Sequence, residues 1–153
     1  MNFRIIGIGK TTDQHIQRLC EDYLQRLKHY ATVEVEFLDI KKKYSQADQK
    51  IVEGELMLSK IQKASIVVLL DETGKSISSK SFAAFVQKRL NAGSKEVIFL
   101  IGGAYGFSEE IYQRADFKIA LSPMTFTHQM VRLIFLEQLY RAFTILKGEK
   151  YHH

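Results

Sequence analysis

Two apolar runs in the last third of the chain, each followed by a loop, limit the possible folds more than any other feature. Residues 97–101 lead into a loop with three glycines, residues 102–106, and residues 117–121 lead into a second loop, residues 122–126. Short runs of this kind are typical of strands in a buried parallel sheet, and ligands bind such sheets where the strands end. Glycine lets the backbone approach a ligand closely. The two loops therefore predict a pocket suited to a nucleotide-like cofactor.

Strands and helices alternate along the rest of the sequence. Further strands are predicted at residues 3–8, 33–40 and 66–70, the last of which ends at residues 71–75. Apolar spacing predicts helices from Asp13 to about residue 29, at 51–63, 81–90 and 108–114, and from His128 to about residue 147, with 41–49 as a polar loop. This alternation indicates an α/β fold, with a mostly parallel sheet and helices on both faces. With 153 residues and neither linker nor repeat, we expect a single domain, 1–153.

The composition favours some partners and disfavours others. The formal net charge is +5, from 22 Lys and Arg against 17 Asp and Glu, which favours a polyanionic partner. The one cysteine, Cys20, cannot form an internal disulfide and is interpreted as a small buried hydrophobe. No apolar run approaches the roughly 20 residues of a membrane span, and the N-terminus lacks a signal-peptide layout. We therefore expect a cytoplasmic protein.

The loop at residues 122–126 contains the first candidate binding residues. Its hydroxyls, backbone groups and apolar side chains suit the edge and the ring of an adenine; they come from Ser122, Met124, Thr125 and Phe126. Pro123 fixes one backbone dihedral and would stiffen the loop. The alternative interpretation is an ordinary loop proline.

The helix that starts at His128 contains the second candidate group. Arg132 follows His128 by one turn on the same face, so the two side chains could act together. Alternatively, His128 makes only local hydrogen bonds and Arg132 pairs with Glu137 or solvent. The rest of this helix is apolar around much of its circumference and has to be buried on more than one side. A symmetric homodimer is the prediction, and complete burial within the monomer is the alternative.

The C-terminal tail supplies the last candidates. Tyr151 and His152 could stack on or hydrogen-bond to a base brought into the pocket. The alternative is a frayed tail.

Several segments together resemble a known family along essentially the whole chain. They are Ile5-Ile6-Gly7-Ile8-Gly9-Lys10, Leu70-Asp71-Glu72-Thr73-Gly74-Lys75, Ile101-Gly102-Gly103-Ala104-Tyr105-Gly106-Phe107, Leu121-Ser122-Pro123-Met124-Thr125-Phe126-Thr127-His128-Gln129-Met130-Val131-Arg132, Glu137-Gln138-Leu139-Tyr140-Arg141-Ala142 and Gly148-Glu149-Lys150-Tyr151-His152. In this order and spacing they resemble the ribosomal RNA large subunit methyltransferase H family of the SPOUT methyltransferases.

The resemblance implies a fold, a cofactor and a reaction. It implies a C-terminal trefoil knot, an exception to the rule against threaded chains, and a homodimer that binds S-adenosylmethionine in the knot. The reaction would be methylation of N3 of a pseudouridine in 23S rRNA, in the assembled ribosome and without a metal. Carried over by position, the cofactor contacts would be Leu70, Gly102, Gly103, Leu121, Ser122, Pro123, Met124, Thr125 and Phe126.

The resemblance also assigns substrate handling to four residues, His128, Arg132, Tyr151 and His152. His152 could accept the N3 proton and Tyr151 could stack on the uracil ring. Arg132 could hold a phosphate or favour the anionic base.

The sequence departs from the family pattern at two positions. Thr127 stands where proline is common, which we expect to change only the stiffness of the loop. His153 stands where Arg or Lys is more usual, which removes a positive charge from the proposed RNA contact. Two other functions remain open: a SPOUT methyltransferase that acts on another RNA, such as transfer RNA, and a non-catalytic ribosome-binding factor.

Overall fold

The apolar runs form strands, and the segments with helical spacing form the helices between them. The computed structural model describes residues 1–153. Its strands are β1 (Asn2–Ile8), β2 (Thr32–Leu38), β3 (Ile66–Ser76), β4 (Glu96–Ile101) and β5 (Phe117–Ala120), and its helices are α1 (Gln14–Leu27), α2 (Gln46–Ser59), α3 (Ser79–Asn91), α4 (Glu109–Arg114) and α5 (His128–Leu146). Every predicted strand and helix is present, with shifted ends.

All five strands are parallel and form one sheet in the order β2-β1-β4-β3-β5. Because the strands are parallel, the loops that follow them emerge at one edge of the sheet, here called the carboxyl edge. Ile6 of β1 lies beside Leu100 of β4, and Leu70 of β3 lies beside Ile101. The loop after β4 therefore has the ends of β1 and β3 as its neighbours. The predicted parallel α/β sheet is confirmed.

The third strand is longer than predicted. The sequence placed its end at Leu70, but pairing with β5 resumes at Lys75, and both residues lie opposite Ile119. Residues 71–74 consequently bulge out of the ladder. Gly74 is required within the bulge because a Cβ there would lie 2.8 Å from the backbone nitrogen of Ile119.

Helices cover both faces of the sheet, as predicted. On one face, α1, α3 and α5 contribute to a large core in which the Phe99 and Phe135 rings lie 4.6 Å apart. On the other face, Met57 of α2 and Ile111 of α4 pack on apolar residues of β1, β3 and β4. The sheet is therefore the middle of three layers.

Each helix begins at a side-chain cap. The capping oxygens, which accept from backbone N–H groups of the first turn, belong to Asp13, Ser45, Ser78, Ser108 and Thr127. The predicted start of α2 at residue 51 was wrong, because Ser45 caps the helix and residues 46–49 form its first turn. Those residues are mostly polar and largely exposed, so apolar spacing could not reveal them.

The last helix, α5, has more buried residues than any other helix. They are Arg132, Phe135, Leu136, Leu139, Ala142, Phe143 and Thr144. It packs against both α1 and α3 and against β4, so most of its apolar surface is covered within the chain. None of the helices combines the length and the apolar character that crossing a membrane requires.

Candidate cofactor site

A cavity of about 420 Å³ opens at the carboxyl edge, between the loops after β3, β4 and β5 and the first turn of α5. This volume lies within the range of small-molecule and cofactor sites. Eight of the nine predicted cofactor positions lie on its walls, namely Leu70, Gly102, Gly103, Leu121, Ser122, Met124, Thr125 and Phe126. The ninth, Pro123, is exposed and lies outside the cavity wall. The Met124 N–H donates to Ser122 Oγ at 3.0 Å, and this tight turn leaves Pro123 on the outer surface.

Two carboxylates that the sequence analysis did not single out also line the cavity. Asp71 and Glu72 lie in the β3 bulge. The Tyr112 hydroxyl donates to Asp71, and the Thr125 hydroxyl donates to Glu72 Oε2 at 2.7 Å. Burial and the bond to Asp71 raise the pKa of Tyr112 to about 12, so its hydroxyl remains a donor. The position of both acids directly after the apolar run of β3, residues 66–70, was the signal that could have identified them.

The glycine loop, residues 102–106, rests on a buried acid of α2. A Cβ on Gly103 would lie 2.6 Å from Glu53 Oε1, so a side chain there would displace the carboxyl group or the loop. Glu53 Oε1 accepts from Gln49 Nε2 at 3.1 Å, whereas the buried Oε2 has no hydrogen-bond partner. Burial raises the pKa of the Glu53 carboxyl group, which favours the neutral acid. Glu53 thus supports the loop from below, a role with no signal in the sequence.

The side chains of His128 and Arg132 lie in different surroundings, although the two residues are one helical turn apart. His128 lines the cavity and is exposed, whereas Arg132 is only 2% exposed. The Arg132 guanidinium donates to the carbonyl oxygens of Ile8 at 2.7 Å and Gly9 at 2.8 Å, and its Cζ lies 3.9 Å from the centre of the Phe37 ring. The phosphate or base contact expected of Arg132 has no access in this conformation. The side chain instead anchors the loop after β1.

The C-terminal tail packs on α1 and on the second half of α5. The Tyr151 hydroxyl donates to Glu137 Oε1 at 3.0 Å and lies 3.3 Å from the Tyr23 hydroxyl. Burial and these hydrogen bonds raise the pKa of Tyr151 well above its ordinary value. His152 Nδ1 lies 3.2 Å from Nη1 of Arg141. Arginine only donates, so Nδ1 accepts and the neutral ring carries its proton on Nε2. In this conformation His152 has no free lone pair with which to accept a proton.

The tail and the cavity are therefore apart within one chain. The cavity meets α5 at His128, whereas the tail contacts it at Glu137 and Arg141. At a rise of 1.5 Å per residue, Arg141 lies about 20 Å from His128 along the helix axis. The structure thus gathers His128 and the cofactor positions at one end of α5 and holds Tyr151 and His152 toward the other.

These observations define a class: α/β proteins with a cofactor-sized cavity where the strands of a parallel sheet end. A family comparison identifies the chain more closely. The family described as "Predicted SPOUT methyltransferase" matches residues 1–152, and the chain belongs to this family.

Similar curated proteins match the chain over its whole length. A protein of Christiangramia forsetii is 56% identical, one of Flavobacterium johnsoniae is 52% identical, and one of Bacteroides thetaiotaomicron is 46% identical. Each alignment covers 100% of this chain and 99% of the relative. All three relatives are named ribosomal RNA large subunit methyltransferase H.

A solved structure is similar in fold. It is a protein from Legionella pneumophila with the cofactor SAM bound, and its TM-score is 0.50 at 9% sequence identity. The match covers 93% of this chain and 66% of that chain.

Proposed function

We propose that this chain is an S-adenosylmethionine-dependent methyltransferase of large-subunit ribosomal RNA, and that it methylates N3 of a pseudouridine in 23S rRNA within the assembled ribosome. The observation that carries the proposal is the full-length identity, up to 56%, with relatives named ribosomal RNA large subunit methyltransferase H. The position of the methyl group and the ribosomal context come from the family resemblance of the sequence.

Three features of the cavity support S-adenosylmethionine as the cofactor. This cofactor combines a positive sulfonium and an ammonium group with an adenine ring. Asp71 and Glu72 place negative charge on one wall, and Leu70, Leu121 and Phe126 offer apolar surface to the ring. Glycines of the loop after β4 expose backbone groups for hydrogen bonds. When bound, the cofactor supplies an electrophilic methyl group.

The protein's contribution is mainly placement and proton removal. We assign contact with the acceptor base to His128, because this residue lines the cavity and is exposed. His152 takes the N3 proton after its Nδ1 leaves Arg141. Tyr151, whose hydroxyl stays protonated, stacks on or hydrogen-bonds to the base and does not serve as the general base. Arg132 acts indirectly by holding the loop after β1.

We also infer a symmetric homodimer in which the tail of one subunit serves the cavity of the other. Within one chain the tail and the cavity lie apart along α5, yet both are assigned to the same reaction. A tail that reaches the partner's cavity accounts for both statements. Exposed apolar side chains on two neighbouring helices, Leu19 of α1 at 46% and Met130 of α5 at 37%, offer surface for a partner. The C-terminal trefoil knot and the cytoplasmic location, beside the ribosome, belong to the same proposal.

The test is methyl transfer from labelled S-adenosylmethionine to ribosomes that lack the modification, beside free 23S rRNA and transfer RNA. We expect label in ribosomes alone, and nucleoside analysis should identify it as N3-methylated pseudouridine. Label in transfer RNA would identify transfer RNA as the acceptor in place of 23S rRNA. Label in no RNA, together with failure to bind the cofactor, would favour a non-catalytic ribosome-binding factor.

A further inference from the structure

Four lysines at the carboxyl edge have no part in the cofactor cavity. Lys10 follows β1, and Lys41, Lys42 and Lys43 follow β2. All four are exposed, and none forms an ion pair with a carboxylate. They are called the lysine patch below.

The sheet order places this patch beside the cavity. β1 is the immediate neighbour of β4, whose glycine loop forms a cavity wall, and β2 is the next strand outward. Parallel strands lie about 4.8 Å apart, so at their ends the loops after β1 and β2 are offset from the glycine loop by roughly 5 and 10 Å. A ligand that enters the cavity and extends along the edge meets the patch next.

The first turns of α5 fix the loop that carries Lys10. Arg132 binds the carbonyl oxygens of Ile8 and Gly9, and the Gln129 Oε1 accepts from the backbone N–H groups of Thr12 at 3.2 Å and Asp13 at 3.1 Å. The same helix turn presents His128 to the cavity. Lys10 is thereby tied to the same helix end that forms the cavity wall.

The chemistry of the patch suits a chain of phosphates. Lysine ammonium groups are exposed point charges that bind phosphate without a fixed geometry, as in sequence-independent contacts with nucleic acid. The nearby carboxylates of Asp39 and Asp48 do not approach any lysine within 4 Å, so they do not neutralise the patch. Lys42 Nζ lies 5.5 Å from the centre of the Tyr44 ring, a contact that leaves its positive charge in place. We propose that the lysine patch binds the sugar–phosphate backbone of the RNA whose acceptor base enters the cavity. This inference rests on the proposed function and names the surface by which the substrate is held.

The experiment compares two triple variants with equal loss of charge. K41Q/K42Q/K43Q removes most of the patch. The control, K28Q/K63Q/K95Q, removes three exposed lysines from the opposite edge, since they lie just before β2, β3 and β4 respectively. The probes are a labelled RNA stem-loop from the acceptor region and whole ribosomes, with S-adenosylmethionine affinity measured separately by calorimetry.

The patch variant should bind S-adenosylmethionine like the wild type and should have an unchanged kcat. Its KM for the ribosome should rise roughly 10-fold to 100-fold at 0.1 M salt, because about three phosphate contacts are lost. When log affinity for the stem-loop is plotted against log salt, the slope should become less steep by about 2, because each of about three lost phosphate contacts contributes roughly 0.7 on single-stranded RNA. The control should change neither quantity.

Equal effects in the two triple variants would overturn the proposal, because net charge alone would then explain them. Weaker ribosome binding with unchanged stem-loop affinity would also overturn it, in favour of an acidic ribosomal protein as the partner. If the wild type methylates no ribosomal RNA, the proposed function fails. The salt dependence of stem-loop binding would then still decide whether the patch binds RNA.

Discussion

Among single residues, Glu53 differs most from what its type would suggest. It is a charged residue at the centre of α2, yet it is buried beneath the glycine loop, and one of its carboxylate oxygens has no partner. Burial disfavours the ionised form, so the pKa of this carboxyl group is raised in the folded protein. Above the unfolded pKa, near 4.5, the folded state therefore binds more protons at this group than the unfolded state does. The contribution of neutral Glu53 to the free energy of unfolding is complete below that pH and is lost as the pH rises through the folded pKa.

Glu53→Gln should therefore become more stable relative to the wild type as the pH rises above about 4.5. Glutamine does not ionise, and its amide oxygen can keep the bond from Gln49. Thermal denaturation of both proteins between pH 4 and 8 measures the effect, at about 2–4 °C in Tm for each kcal/mol in a chain of this size. Glu55→Gln, on the exposed side of the same helix, is the control. A Tm difference that does not change with pH would contradict the prediction.

At the scale of the elements, the start of α5 shows how one residue links the cavity to the helix. Thr127, the departure from the family pattern, caps α5: its Oγ1 accepts from the Met130 N–H at 3.2 Å. The expectation that it changes only loop stiffness was therefore incomplete. The cap also fixes His128 and Gln129, which follow it directly and face the cavity and the loop after β1 respectively.

Thr127→Ala should lower the free energy of unfolding by about 1 kcal/mol, because the N–H of Met130 loses its partner. The expected fall in Tm is about 2–4 °C. Thr127→Ser, which keeps the hydroxyl, should stay close to the wild type in Tm. If the serine variant is destabilised as much as the alanine variant, the methyl contacts of the threonine stabilise this turn, and the hydroxyl does not.

The parts of the fold that sequence could predict depend on local patterns. Strands β3 and β4 were recognisable because both of their faces are buried, which leaves the continuous apolar runs at residues 66–70 and 97–101. The β3 bulge and the start of α2 were not recognisable, since a bulge depends on pairing with a distant strand and the first turn of α2 is mostly polar. The contact with phosphate or base that was expected of Arg132 failed for the same reason. Its actual partners, Ile8 and Gly9, lie more than 120 positions away in the sequence.

For the molecule as a whole, the separation of tail and cavity predicts how two subunits would share the reaction. Two variants each remove one half of the proposed site, the cavity or the tail. Ala104→Trp fills the cavity from an exposed position of the glycine loop, and Tyr151→Ala/His152→Ala removes the tail side chains while leaving the cavity intact. Each homodimer should be inactive, the first because it loses S-adenosylmethionine binding and the second because it retains the cofactor but lacks the groups that handle the base.

A heterodimer of these two variants, purified with a different affinity tag on each subunit, separates the possible arrangements. If the tail acts on the partner's cavity, the cavity of the tail variant receives an intact tail from the cavity-filled subunit. One complete site then exists, and the heterodimer should regain about half of the wild-type methyl transfer. If the tail acts on its own cavity, no complete site exists and the heterodimer should be inactive.

His153→Ala in place of the tail variant is the control, because that residue is exposed, and it should leave its homodimer active. Full activity of the Tyr151→Ala/His152→Ala homodimer would instead remove the tail from the mechanism altogether.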